Sequence, residues 1–214
     1  MSAGARGLPY CRGRFKRAVD VLLSALALLL LSPVLAILVV ALLVVDGRPV
    51  LFAQERVGMN GSIFTILKFR TMRPGRSGGL SITARGDDRI TQMGRLLRAA
   101  KLDELPQLLN VLSGNMSIVG PRPELERYVG CYSEKQRRVL DVRPGLTDPA
   151  TLRFRDEESI LGAVASSERE SYYVREIMPK KLELNLEYID RASPGLDFLL
   201  IMRTLAAIAF PPKQ

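Results

Sequence analysis

The 214 residues contain no histidine, no tryptophan and only two cysteines. Without histidine there is no Ser-His-Asp triad, no imidazole base and no imidazole metal ligand. Cys11 and Cys131 are too few for a zinc site that needs three or four N/S ligands. They are also too few for a disulfide framework, which agrees with a reducing compartment. Enzyme chemistry is therefore left to carboxylates, lysines, arginines, hydroxyls, backbone amides or an oxygen-bound metal. Acidic residues are outnumbered, 22 against 31 Lys and Arg, for a net charge of +9. That charge alone would suit nucleic acid, but six Tyr and seven Phe with no interleaved basic-aromatic module argue for no nucleic-acid partner.

Long apolar runs are also absent, with one exception. Val21 to Val45 carries no charge, and only Ser24, Ser32 and Pro33 fall outside the apolar set. As a straight helix it would rise about 37 Å, enough for a hydrocarbon core of about 30 Å. It is too long for a signal-peptide core, and no small-x-small cleavage site follows it. Pro33 at its centre removes a backbone donor and predicts a kink, with Ser32 able to satisfy the freed carbonyl. Arg6, Arg12, Arg14, Lys16 and Arg17 precede the run, and Arg48, Arg56, Lys68, Arg70 and Arg73 follow it. Basic residues on both flanks fit two ends on one cytoplasmic side, as in a helix-break-helix that re-enters the leaflet. A single spanning helix with a tolerated proline is the plainer alternative.

Beyond Asp46-Gly47-Arg48-Pro49, a turn, the chain reads as a mixed domain. Val50–Gln54 and Ser62–Arg70 predict two strands joined through Asn60-Gly61, a hairpin signal. Arg73 to Gly86 predicts a mobile loop. Asp87-Asp88 opens a helix striped by Ile90, Met93, Leu96 and Leu97. Leu102–Leu112 predicts a second helix, closed by Ser113-Gly114-Asn115. Met116–Val119 leads into the rigid turn Gly120-Pro121-Arg122-Pro123. Glu124–Val142 reads as helical, Thr147–Glu158 as irregular, and Tyr172–Arg191 as a helix broken at Pro179. Leu196–Phe210 is a last helix, apolar enough to lie in a membrane interface or to pack on the core.

Asp103-Glu104 stands out within Lys101-Leu-Asp-Glu-Leu-Pro-Gln. Pro106 favours a first helical turn. The pair is then expected at a helix N-terminus, where the dipole and nearby Arg98 and Lys101 would lower both pKa values. An Asp there is commonly just a cap. The basic residues Lys68, Arg70, Arg98, Arg122, Arg143, Arg153 and Arg155 lie beside turns or element ends, as suits a phosphate or diphosphate ester. Solvated surface and anionic lipid headgroups are their alternative uses. Carboxylates supply the hard oxygens that magnesium prefers, and a carboxylate is the obvious nucleophile.

Several runs then fall in one order. They are Lys16-Arg17-Ala-Val-Asp20 before Ser32-Pro33, Gln54-Glu-Arg-Val-Gly58, Lys68-Phe-Arg-Thr-Met72 and Asp88-Arg-Ile-Thr-Gln-Met-Gly-Arg-Leu-Leu-Arg98. Leu102-Asp-Glu-Leu-Pro-Gln-Leu-Leu-Asn-Val-Leu112, Met116-Ser-Ile-Val-Gly-Pro-Arg-Pro123 and Pro144-Gly-Leu-Thr147 follow. Together they resemble the bacterial sugar transferases, in particular the small monotopic phosphoglycosyl transferases (polyprenyl-phosphate glycosyl-1-phosphate transferases), over about Phe15 to Phe210. The resemblance implies an α+β, mainly helical, monotopic membrane protein. It would have an N-terminal re-entrant helix-break-helix at Ser32 and Pro33, a small β-hairpin and interfacial amphipathic helices. Residues 1–46 would form the basic N-terminus and membrane helix, and 47–214 the cytosolic catalytic domain. It implies transfer of a sugar-1-phosphate from a UDP-sugar to undecaprenyl phosphate, with UMP released, at the cytoplasmic face of the bacterial inner membrane. Such a step begins an O-antigen, capsule, exopolysaccharide or glycoprotein glycan. By the same resemblance Asp103 is the nucleophile that forms a covalent phosphosugar intermediate, and Glu104 holds Mg2+. Lys68 and Arg98 match phosphate positions, and Pro121, Arg122 and Pro123 the nucleotide-binding part; Arg70, basic and beside a turn, is carried with them as a phosphate ligand on its charge. The bilayer's anionic lipid is a further partner, and a homodimer is left open. One stretch departs from the pattern. Where many relatives carry Gly-aromatic-Gln-Val-x-Gly-Arg, this chain reads Asp148 to Glu158. Arg155 is carried as a phosphate ligand there, and the sugar is left unnamed.

Overall fold

The computed structural model describes residues 7–73, 83 and 87–210. The expected loop from Arg73 to Gly86 falls almost wholly outside them. A short helix α1 (Gly7–Arg12) leads into α2 (Arg14–Val45), which contains the whole apolar run. The expected break does not divide this helix: α2 continues through Pro33. Its chemistry is as the sequence implies. Pro33 cannot donate to Leu29, four residues back, and the Ser32 hydroxyl donates to the Leu29 carbonyl instead at 2.8 Å.

The two ends of α2 are tied down and its middle is not. At the N-terminal end Lys16, Asp20 and Ser24 are buried, and at the C-terminal end Leu42 packs with Phe69 and Leu97. Between them Leu26, Leu29, Leu30, Val34, Ile37 and Val40 are exposed. The C-cap Asp46 accepts from Thr91 Oγ1 at 2.8 Å, and its carbonyl accepts from the Arg70 guanidinium at 2.5 Å.

Strands β1 (Leu51–Val57) and β2 (Ile63–Phe69) pair antiparallel, Leu51 opposite Phe69 and Val57 opposite Ile63. Asn60 (φ 57°) and Gly61 (φ 78°) both take the left-handed conformation within the connection 58–62, where the chain reverses through a 3₁₀ turn. Helix α3 (Gln92–Ala99) is capped by Thr91, whose hydroxyl accepts from Gly94 N at 2.8 Å. The cap is therefore Thr91 and not Asp87-Asp88, because Asp87 is held by Arg89 at 2.6 Å. The second expected helix divides into a 3₁₀ turn, Leu102–Glu104, and α4 (Gln107–Ser113), with Pro106 as the N-cap. Asn110 clamps α4 to the hairpin: its amide donates to Thr65 O at 2.7 Å and accepts from Leu67 N at 3.0 Å. Asn110→Ala is expected to lower stability by about 1–3 kcal/mol, read as a lower unfolding midpoint in detergent; an unchanged midpoint would contradict this role.

Met116–Val119 becomes β3 (Ser117–Val119), followed by α5 (Glu126–Val129), α6 (Glu134–Arg137) and a 3₁₀ turn over Arg138–Asp141. The single helix expected over Glu124–Val142 is thus three short pieces. Strand β4 (Gly145–Thr147) pairs parallel with β3. The two chains approach so closely that a Cβ on Gly145 would lie 2.2 Å from Gly120 N, so only glycine fits. The stretch expected to be irregular holds α7 (Pro149–Arg153) and the start of α8 (Glu157–Gly162). Asp148 caps α7 by accepting from Thr151 N at 2.9 Å. Helix α9 (Arg169–Tyr172) runs through a π-turn at Tyr173–Ile177 into α10 (Met178–Arg191), and α11 (Pro194–Ala209) follows. Pro179 sits in the first turn of α10, where its missing N–H is harmless, so it starts that helix and does not break it. The largest core cluster joins Val119, Tyr128, Val139, Leu161, Tyr173, Ile177, Leu182 and Ile189. Among the described residues the protein is mainly helical with two small sheets.

A buried polar network fastens α2 to α11. Asp197 accepts from Lys16 Nζ at 2.6 Å, from Tyr10 at 2.9 Å and from Tyr188 at 2.7 Å. Asp20 accepts from Ser117 Oγ at 2.7 Å and from Ile118 N at 3.2 Å.

Candidate active site

Four elements converge on the acidic pair. Lys101, with φ 56°, turns the chain left-handed between α3 and the 3₁₀ turn. This reversal places Asp103 and Glu104 against β2, whose Lys68 Nζ lies 3.1 Å from Glu104 Oε1. On the other side Arg122 forks onto Glu104, at 2.6 Å to Oε1 and 3.3 Å to Oε2. The extended Pro121-Arg122-Pro123 turn that carries it is pinned twice: Pro121 O accepts from Gly145 N at 2.8 Å and Pro123 O from Arg56 at 3.3 Å. Planar guanidinium on carboxylate is a strong, oriented contact.

The two carboxylates differ sharply. Asp103 is 6 % exposed, and its Oδ1 is buried with no partner among the described residues. Burial, and next the charge of Glu104, raise its pKa, against the opposing charges of Lys68, Arg98 and Lys101. Glu104 is held well below the usual carboxylate range: burial alone would raise it, but Arg122 and Lys68 together outweigh that. The lowering expected for the pair therefore holds for Glu104 and is corrected for Asp103. A 3₁₀ turn offers little dipole, and burial, a tertiary effect, decides Asp103. Burial also lowers the Lys68 pKa, against the pull of Glu104.

The other expected residues are distributed unevenly. Arg98 Nε donates to Thr71 Oγ1 at 3.0 Å, and its NH1 pairs with Glu158 at 3.0 Å. It bears on Asp103 through charge, without contact. Arg70 donates to the Asp46 and Gly47 carbonyls at the end of α2, at 2.5 and 3.0 Å. Arg155, half-buried between α7 and α8, makes no hydrogen bond or ion pair among the described residues. Sequence reasoning missed the α8 carboxylates. Glu158 meets Arg98, and Glu157 meets Lys181 at 2.8 Å; the adjacent pair Glu157-Glu158 was the available signal.

Magnesium suits this donor set. It commonly binds through one or two carboxylates and completes its shell with substrate phosphates and water. Glu104 is an ionised hard-oxygen ligand, and both cations that now hold it are also suited to diphosphate.

The arrangement is thus a buried, basic carboxylate beside an ionised one, ringed by Lys68, Arg122, Arg98 and Lys101. A raised pKa makes Asp103 the more electron-rich carboxylate once it is ionised, which suits a nucleophile.

A UDP-glucose:undecaprenyl-phosphate glucose-1-phosphate transferase of Caulobacter vibrioides is 38% identical over 197 residues, covering 90% of this chain and 69% of that protein. A transferase of the same name from Escherichia coli K12 is 36% identical, covering 89% of this chain but 39% of its own length. The sugar transferase EpsL of Bacillus subtilis is 37% identical, covering 90% of this chain and 86% of that protein. The family model described as bacterial sugar transferase matches residues 11–211. From Cys11 onward, then, and through the turn that carries Asp103 and Glu104, the chain belongs to the bacterial sugar transferase family.

Proposed function

We propose that this chain transfers a sugar-1-phosphate from a UDP-sugar to undecaprenyl phosphate and releases UMP. The names of the relatives support the substrates. The observation that carries the reading is the split acidic pair, Asp103 buried and raised, Glu104 lowered and paired with Lys68 and Arg122. An Asp103 oxygen attacks the sugar-bearing phosphorus, and the bond from that phosphorus to the bridging oxygen breaks. UMP departs with the electron pair, leaving an acyl phosphosugar on Asp103. An oxygen of the lipid phosphate then attacks the same phosphorus, and the Asp103 carboxylate is released. Lys68 and Arg122 offset charge on the diphosphate. Glu104 would hold magnesium, which supplies further charge neutralisation when bound. Incubation with undecaprenyl phosphate, magnesium and a panel of UDP-sugars should release UMP with at least one sugar. Release of UDP would show transfer of the sugar without its phosphate and overturn the reading.

The membrane reading is that α2 is re-entrant and the catalytic domain lies at the cytoplasmic face of the inner membrane. Lys16, Asp20 and Leu42 mark the two ends of α2, and all three are buried against the same domain. A spanning helix would place its ends on opposite sides of the bilayer. The exposed Phe198, Leu199, Met202, Leu205 and Phe210 of α11 supply a second apolar surface for the interface. With Cys11 and Cys131 replaced by alanine and serine, single cysteines at Arg14 and at Asn60 should label from the same side. Labelling from opposite sides would defeat the re-entrant topology.

A further inference from the structure

Two amides one turn apart on α4 have contrasting fates. Asn110 uses both its oxygen and its nitrogen on β2. Gln107 is 1 % exposed, yet neither its Nε2 nor its Oε1 has a partner among the described residues. Leaving such groups buried and unpaired destabilises the fold. A glutamine kept at that expense is explained if its partner arrives later.

Its surroundings indicate which partner. Three residues after Gln107, Asn110 grips Thr65 and Leu67; three residues before it, Glu104 meets Lys68. These spacings put Gln107 on the β2-facing side of its segment, between the clamp and the acidic pair. Asp103, four residues before Gln107, carries the complementary orphan: Oδ1 is an acceptor without a donor, and Gln107 Nε2 is a donor without an acceptor.

We infer that Gln107 is a positioning residue for Asp103. In the reacting complex Gln107 Nε2–H donates to Asp103 Oδ1. This fixes the carboxylate so that Oδ2 forms the bond to phosphorus as the bond to UMP breaks. Gln107 Oε1 is then free to accept from Lys68 as that ammonium turns from Glu104 to the diphosphate. The inference rests on the phosphosugar reading of Asp103 given above.

The test is Gln107→Met, which keeps length and volume and removes both polar atoms. If Gln107 were part of the scaffold, the unfolding midpoint and activity would fall together. For a positioning role, kcat should fall roughly 10–100-fold, while KM for the UDP-sugar stays within about threefold. The unfolding midpoint should hold or rise, because two unsatisfied buried atoms are gone. UMP release by enzyme without acceptor lipid, which isolates the first half-reaction, should slow by the same factor as kcat. A lowered midpoint that tracks the activity loss, or kcat within about twofold of wild type, overturns the inference. Asp103→Ala assayed alongside separates the two failures. An active Asp103→Ala sinks the phosphosugar reading itself, whereas an inactive Asp103→Ala beside a fully active Gln107→Met sinks only the role of Gln107.

Discussion

Asp103→Ala is expected to release no measurable UMP, a loss of roughly 10⁴-fold or more, as when other covalent nucleophiles are removed. Asp103→Asn should do the same, because the amide keeps the shape but has no anionic oxygen to offer phosphorus. The wild-type protein given a UDP-sugar and magnesium without lipid should release at most one UMP per molecule. That burst marks a covalent intermediate in a two-step exchange. It should be absent from both variants. Appreciable turnover by either, or UMP release that strictly requires the lipid from the first turnover, would count against Asp103 as nucleophile. Unfolding midpoints should be unchanged or higher, since truncating Asp103 removes an unpartnered buried oxygen. Loss of activity without loss of fold separates this result from a structural effect.

Asp197→Ala should have the largest effect on stability. The substitution strips Lys16 of its 2.6 Å partner in a site where both side chains are almost fully buried, and leaves the Tyr10 and Tyr188 hydroxyls without their acceptor. Asp20 stands 3.8 Å from Lys16 and offsets only part of the loss. Removing one member of a buried pair costs about 3–5 kcal/mol, because a buried charge is left behind. Chemical unfolding in detergent should show it directly. Replacing both partners, Lys16→Met with Asp197→Leu, should recover much of the loss. A single variant within about 1 kcal/mol of wild type would mean that water reaches Lys16 and the network does not moor α11.

What the sequence made legible follows from how local each cause is. Asn60-Gly61 announced the hairpin because a turn depends on the residues within it. Ser32-Pro33 announced its hydrogen bond because donor and acceptor lie three residues apart. Leu196–Phe210 read as a helix and is one, within two residues. Long-range causes were hidden. Lys16 looked like a flanking positive charge, and nothing local pointed to Asp197, 181 residues away. The parallel contact of β3 with β4 depends on two glycines meeting, and Gly120 and Gly145 are 25 positions apart. For the site, Asp103, Glu104, Lys68 and Arg122 were all chosen from their motifs, and the fold gathers them. The lowering expected for Glu104 holds, but that expected for Asp103 does not, because burial raises it and burial is not written in adjacent residues. Arg70 was taken for a phosphate ligand on charge alone, and its guanidinium instead closes the carbonyl end of α2.

The double mooring of α2 also bears on the proposed membrane topology. With Lys16 and Asp20 at one end and Asp46 and Arg70 at the other held on one domain, the re-entrant arrangement asks no charged residue to be translocated. Carrying each Arg, Lys or Asp through the bilayer centre would cost about 2.5–3.5 kcal/mol on insertion scales, and in the proposed re-entrant arrangement that barrier would not arise. On that proposal, biogenesis would reduce to folding the catalytic domain beside the leaflet and letting the exposed apolar middle of α2 partition into it. The prospective consequence is post-translational insertion into preformed liposomes, without translocon or membrane potential.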